Sequence, residues 1–128
     1  MAESLLALIV MHEPMMKEAF AFRLRAKGYN VETCDYLDEM IGKIGTGNYG
    51  LIAMDLNFEN PASTDISPSK AVYDIVKNDA ASGKTIFIGL SGNNACLSAA
   101  QEYRMPAFDK TLALNRILEQ YNEKFKVY

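Results

Sequence analysis

The chain has 128 residues, 49% of them hydrophobic, which is enough for one core and a single domain over 1-128 without disulfide or metal staples. Its net charge is −3, and its 13 Lys and Arg are scattered rather than gathered into a stripe, which argues against nucleic acid as a direct partner. Glu3 precedes only eight mostly apolar residues, too few for a signal peptide or a membrane span, so a cytoplasmic protein with no membrane partner is expected. Cys34 and Cys96 form no CxxC and have no histidine pair beside them, so they read as two reduced thiols rather than a zinc or redox site.

In chain order, Leu5 to Met11 is an apolar run, and Pro14 suits the first turn of a helix that reaches about Lys27 and closes on Gly28. A second run, Tyr29 to Cys34, precedes Leu37, Met40, Ile41 and Ile44, whose i, i+3, i+4, i+7 spacing predicts an amphipathic helix. Gly50 to Met54 is a third run, ending on Asp55. The polar segment 57–68 follows, with two prolines and no periodicity; it is longer than the usual connection of about 2–6 residues and reads equally as a binding or lid loop and as a surface insertion. Ser67 and Pro68 form an N-cap and N1 signature for a helix carrying Ala71, Val72, Ile75 and Val76. Thr85 to Leu90 is the fourth run, a short helix follows Asn94, and a weak fifth run lies around Pro106 to Phe108. Leu114, Ile117, Leu118, Tyr121 and Phe125 mark the last helix. Nothing after that helix resembles a segment that would act on DNA.

Five short apolar runs alternating with helical stretches predict repeated βα units around a parallel sheet, an α/β fold. The first, third and fourth runs are apolar nearly throughout, as strands covered on both faces should be.

Ligands of open parallel sheets sit beyond the carboxyl ends of the strands. The polar residues expected there are His12 and Glu13; Asp55 and Asn57; Ser91, Gly92 and Asn93; and Asp109 and Lys110. A carboxylate nucleophile with a hydroxyl and an ammonium to hold phosphoryl oxygens is a set suited to phosphoryl chemistry.

On these residues the whole chain resembles the response-regulator receiver (CheY-like) domain. The resemblance implies a (βα)5 doubly wound, flavodoxin-like three-layer fold with sheet order 2-1-3-4-5. It places Asp55, in "LIAMDLN", at the phosphoacceptor position, Ser91, in "IFIGLSGN", at the hydroxyl position, and Lys110, in "AFDKTL", at the lysine position. Asn57 matches the residue whose backbone carbonyl helps hold Mg2+. The implied partner is a sensor histidine kinase or another signalling protein, met through the face of the fourth helix, fifth strand and fifth helix, by a monomer or weak homodimer that is not an enzyme.

The sequence also departs from that family. Where the family commonly reads Val-Asp-Asp-Glu-Pro, this chain reads Val10-Met11-His12-Glu13-Pro14, so Met11 and His12 replace the acidic pair. Neither a thioether nor an imidazole suits a hard cation, so a Mg2+ site built from Asp55, Asn57 and Glu13 is expected to be weak or absent. His12 is expected to fill the vacated corner, with a hydrogen bond to Asp55. Thr111 stands where the family has a proline joined by a cis bond, so the Lys110–Thr111 bond is expected to be trans and Thr111 to cap the last helix. Ala107 stands in place of the family's mobile aromatic. With fewer carboxylates to neutralise, a metal-free Lys110–Asp55 pair is expected. Two other readings are a haloacid-dehalogenase-like phosphatase using Asp55 as nucleophile, against which Asn57 replaces its second aspartate, and a scaffold of the same fold with no site.

Overall fold

A computed structural model describes residues 5–58 and 62–125. Five strands, β1 (Leu6–Val10), β2 (Asn30–Thr33), β3 (Leu51–Asp55), β4 (Ile86–Ser91) and β5 (Ala107–Asp109), alternate with five helices. These are α1 (Pro14–Ala26), α2 (Leu37–Thr46), α3 (Ser67–Ala81), α4 (Asn94–Glu102) and α5 (Leu114–Phe125). All strand pairs are parallel, in the order β2-β1-β3-β4-β5. The fold is therefore the doubly wound flavodoxin-like arrangement the sequence predicts.

Side chains alternate across each strand, so the two sheet faces take different partners. Leu8, Val10, Ile52, Met54 and Phe87 pack with α2, α3 and α4. Ala7, Ile9, Leu51, Ala53, Ile88 and Leu90 pack with α1 and α5. Every residue of β3 is buried, which makes it the strand whose terminal carboxylate is most removed from water. β5 is only three residues long and leaves the start of β4 without a strand on that side; the Phe87 N–H instead donates to the buried Tyr121 Oη at 3.3 Å. α1 closes as expected: Gly28 takes φ +99, a left-handed conformation suited to glycine, and its N–H returns to the Arg25 carbonyl at 2.9 Å.

The start of α3 differs from the expectation. Ser67 lies inside the helix rather than capping it, and the Asp65 carboxylate accepts both the Ser67 N–H at 2.9 Å and the Ser67 hydroxyl at 2.6 Å. An Asx turn two residues upstream satisfies the orphan donor, so the helix opens one residue early. The buried stripe of α3 also runs through Ser69, Val72 and Val76; Ala71 and Ile75 face outward, because Tyr73 turns its ring onto Phe87 at 5.1 Å between centroids. The Lys110–Thr111 bond is trans, as expected, with no cis peptide among the described residues. Thr111 does not cap α5: its N–H and hydroxyl both go to Asp109 Oδ1, at 2.9 and 2.7 Å, which tightens the turn after β5 instead.

Ser69 is fully buried and ties α3 to the end of β3. Its single hydroxyl proton is shared between the Leu56 and Ile66 carbonyls, each at 2.9 Å. Replacing Ser69 with Ala should cost about 1 kcal/mol, the usual worth of such a bond. Urea denaturation should show a lower midpoint at unchanged slope, and an unaltered midpoint would deny Ser69 this role.

Candidate functional site

The ends of the strands bring their polar residues together at one rim. Asp55 pairs in register with Leu90, Ser91 pairs with Asp109, and the Lys110 N–H donates to the Ser91 carbonyl at 3.1 Å. His12, Asp55, Asn57, Ser91, Gly92 and Lys110 line a cavity of about 150 Å3. The three residues matched to phosphoacceptor, hydroxyl and lysine positions therefore share one cleft.

Within it, Asp55 is 3% exposed and its two oxygens have different surroundings. Oδ2 accepts the His12 backbone N–H at 2.8 Å. Oδ1 is buried and has no hydrogen-bond partner among the described residues. Burial pushes the Asp55 carboxyl above the ordinary carboxylate range, partly offset by the His12 N–H, the His12 ring and Lys110.

The Ser91 hydroxyl oxygen accepts the Asn93 N–H at 3.0 Å, and Asn93 Oδ1 caps α4 by accepting from Ala95 N–H and Cys96 N–H. The Lys110 stem crosses Gly92, where a Cβ would lie 3.4 Å from Lys110 Cε. Gly92 thus lets the lysine run along the floor of the cleft.

The expected Lys110–Asp55 pair is not formed. Lys110 Nζ lies 3.3 Å from Glu13 Oε1, an ion pair across the mouth of the cleft in which both side chains are partly exposed. The reason is positional: Glu13 precedes α1, beyond the end of β1, and reaches Lys110 through water-accessible space where neither charge is fully desolvated.

The corner vacated by the acidic pair is occupied. Met11 is buried and joins the apolar layer beneath α1 and α5. The His12 ring stacks on Phe58 at 5.6 Å, with Nε2 3.3 Å from the Asn57 carbonyl and 3.7 Å from Asp55 Oδ2. Asn57 turns its amide away to donate to the Ser63 carbonyl at 2.9 Å, which pins the long connection; its residues 59–61, including Pro61, lie outside the described residues.

These contacts test the magnesium site. Of Asp55, Asn57 and Glu13, only the Asp55 carboxylate points into the corner; the Asn57 carbonyl already faces an imidazole nitrogen, and Glu13 is held by Lys110. Among the described residues no group of three or more His, Cys, Asp or Glu can hold a metal ion. One carboxylate, one engaged carbonyl and an imidazole do not fit a hard cation that demands octahedral oxygen ligands. Among the described residues no second carboxylate stands beside Asp55 as acid or base, and Asn57 occupies the position where the phosphatase reading wants one. The sequence did not reveal that His12 would offer its backbone N–H to Asp55, since a main-chain donor leaves no signature in residue type.

The unpartnered carboxylate has a measurable consequence. Because the folded state holds the Asp55 proton more tightly than the unfolded chain, this group favours folding below the ordinary carboxylate pKa, and the advantage is lost as pH rises through the raised value. At neutral pH, Asp55→Asn should therefore stabilise the fold by roughly 1–3 kcal/mol, the cost of an unsatisfied buried group. The gain should shrink toward zero near roughly pH 2–2.5, well below the ordinary pKa of about 3.9, where Asp55 is neutral in both states. Paired thermal melts at the two pH values check this; equal stability at neutral pH contradicts it.

No protein-family model matches the sequence, and no curated protein is recognisably similar to it. Solved structures are similar over nearly the whole chain. The response regulator TrrA from Thermotoga maritima, in complex with Mg(2+)-BeF, is 21% identical with a TM-score of 0.69, over 92% of this chain and 96% of that one. A response regulator receiver protein from Pseudomonas putida is 19% identical with a TM-score of 0.64, over 97% and 99%. A CheY-like receiver domain protein from Methanospirillum hungatei is 17% identical with a TM-score of 0.69, over 97% and 94%. With this strand order, this rim and these neighbours, the chain has the fold of the CheY-like receiver domains of response regulators.

Proposed function

We propose that the chain is a receiver-type module of two-component phosphorelay signalling, acting in the cytoplasm through protein–protein contacts rather than as an enzyme. Asp55 is the phosphoacceptor position, and its magnesium-dependent phosphorylation is impaired. The observation that carries this reading is the asymmetry of one carboxylate that lines the cleft with Ser91 and Lys110: Oδ2 is held by the His12 N–H, while Oδ1 is buried with no hydrogen-bond partner among the described residues.

In this reading Oδ1 is the nucleophile. Its lone pair attacks the phosphorus of a phosphohistidine or a small phosphodonor, the bond to the departing group breaks, and the phosphoryl oxygens fall within the cleft. Lys110 leaves Glu13 to meet their charge, and the Ser91 hydroxyl turns its proton toward them. The charge of the transferred group then rests chiefly on Lys110, because the corner where further positive charge is wanted holds the His12 ring against the Asn57 carbonyl. This is why the transfer is slow. Mg2+ would bind weakly if at all, and only with displacement of that ring.

The contact surface in this reading is the α4–β5–α5 face. A groove of about 670 Å3 lies there, lined by Leu97, Met105, Ala107 and Phe125, with Arg104 and Lys124 among its polar residues. The small side chain of Ala107 leaves the space that an aromatic would fill, so this face is read by its shape and not through the rotation of one ring. A sensor histidine kinase or another signalling protein is the partner class, with neither nucleic acid nor membrane as a direct partner.

A small phosphodonor with millimolar magnesium should label only a small fraction of the chains, and that fraction should vanish in Asp55→Ala. Phosphate-affinity electrophoresis reads this directly. Labelling of every chain in a magnesium-dependent manner would refute the impairment, and residual labelling in Asp55→Ala would refute the site.

A second measurement separates a weak site from none. Backbone amide NMR at Asp55, Ser91 and Lys110 should show little change on adding magnesium alone or with beryllofluoride. Saturable shifts at sub-millimolar magnesium would mean a conventional metal-dependent receiver.

A further inference from the structure

α1 carries apolar residues on two opposite faces, and only one of them is used within the chain. Phe20, Ala21 and Leu24 are buried against the sheet. On the opposite side Met15, Ala19, Phe22 and Ala26 fall at i, i+4, i+7 and i+11, a continuous stripe along one face at 3.6 residues per turn, and all four are exposed. Met15 is 86% and Phe22 72% exposed, the two most exposed of the large hydrophobic side chains among the described residues. A thioether and a phenyl ring aligned along one helix face are a costly thing to leave in water, and an aligned apolar patch of this kind marks a contact surface.

The order of sizes along the stripe indicates what covers it. It reads large, small, large, small, and it becomes complementary to itself when a second α1 runs antiparallel about a two-fold axis midway between residues 20 and 21. Met15 then meets Ala26 of the second copy, and Phe22 meets Ala19 of the second copy, so each large side chain lies over a small one. The charges agree with the same arrangement. Glu18 and Arg25 lie along one edge of the stripe, seven residues apart, and neither has an ion-pair partner among the described residues. In an antiparallel two-fold pair each edge meets the same edge of the other helix. Glu18 then lies about 3 Å along the axis from the level of Arg25 of the second copy, at 1.5 Å per residue, a gap the long arginine side chain spans, and symmetry repeats the pair.

We infer that the exposed face of α1 is a homodimer interface, in which two copies of this chain pair their first helices antiparallel through Met15, Ala19, Phe22 and Ala26. The helix is 13 residues long, about 20 Å at 1.5 Å per residue. One such helix pair buries less than the roughly 1,200 Å2 that marks the lower edge of stable interfaces, so the dimer is weak and reversible. It leaves the α4–β5–α5 groove open, and it does not depend on whether Asp55 accepts a phosphoryl group.

Sedimentation equilibrium of the whole chain from micromolar to millimolar concentration is the test. Self-association should be seen with a dissociation constant on the order of tens to hundreds of micromolar, the weak end for so small an area. Phe22→Asp and, separately, Met15→Gln should each weaken it by at least tenfold while circular dichroism stays unchanged, since both side chains are exposed. Glu18→Arg alone and Arg25→Glu alone should each weaken the dimer, and the double exchange should restore it. A chain that stays monomeric at millimolar concentration overturns the inference and leaves the stripe to a different protein. Association indifferent to Phe22→Asp, or a double exchange that fails to restore it, overturns the antiparallel pairing as well.

Discussion

A carboxylate at the end of a strand buried on both faces is the constraint around which the rest of this molecule is arranged. Asp55 lies at the floor of the cleft with only 3% of its surface exposed, and burial by itself drives it toward the neutral form. What keeps a charge tolerable is a short hydrogen bond from the His12 main chain to one oxygen, with the His12 ring and Lys110 adding favourable charge nearby. The second oxygen has no hydrogen-bond partner among the described residues. An acceptor left in that state is expensive for stability, and such expense is commonly tolerated where chemistry or a ligand needs the group.

The histidine does two things at once. Its backbone extends the line of β1 and supplies a donor that any residue but proline would supply there, whereas its ring fills the corner and sits against the Asn57 carbonyl and the Phe58 ring. Met11, one residue earlier, alternates to the other sheet face and becomes apolar core. Two consecutive substitutions therefore have opposite fates, one removed from the cleft and one closing it. Their joint effect reaches Glu13 and Lys110: without a cluster of carboxylates beneath it, the lysine finds its nearest anion at the rim.

The helices around the sheet are not equivalent either. α5 and α2 present one apolar face and cover the sheet with it, whereas α1 is apolar on both sides and so contributes a surface beyond its own packing. The groove beside β5 has a related origin in small residues. A short edge strand and Ala107 leave space between α4 and α5 that larger side chains would have closed. Buried packing and exposed contact surfaces are thus decided by the same few choices of side-chain size.

Much of this was legible in the residues themselves. Alternation of short, nearly continuous apolar runs with stretches of helical period determined the five βα units, because a strand covered on both faces is apolar throughout whereas a helix packed on one side repeats every 3.6 residues. The ends of the third, fourth and fifth runs determined which polar residues would gather at one rim, since parallel strands in one sheet end on the same side. Boundaries were less secure: Ser67 looks like a cap by type, yet Asp65 two residues upstream is the better acceptor for that turn. The partners of charged groups were decided only in three dimensions. Lys110 was expected on Asp55 and is found on Glu13, and Asp55 is held by a main-chain donor, because a long side chain selects among anions by distance and solvation, and a backbone N–H is present at every residue except proline.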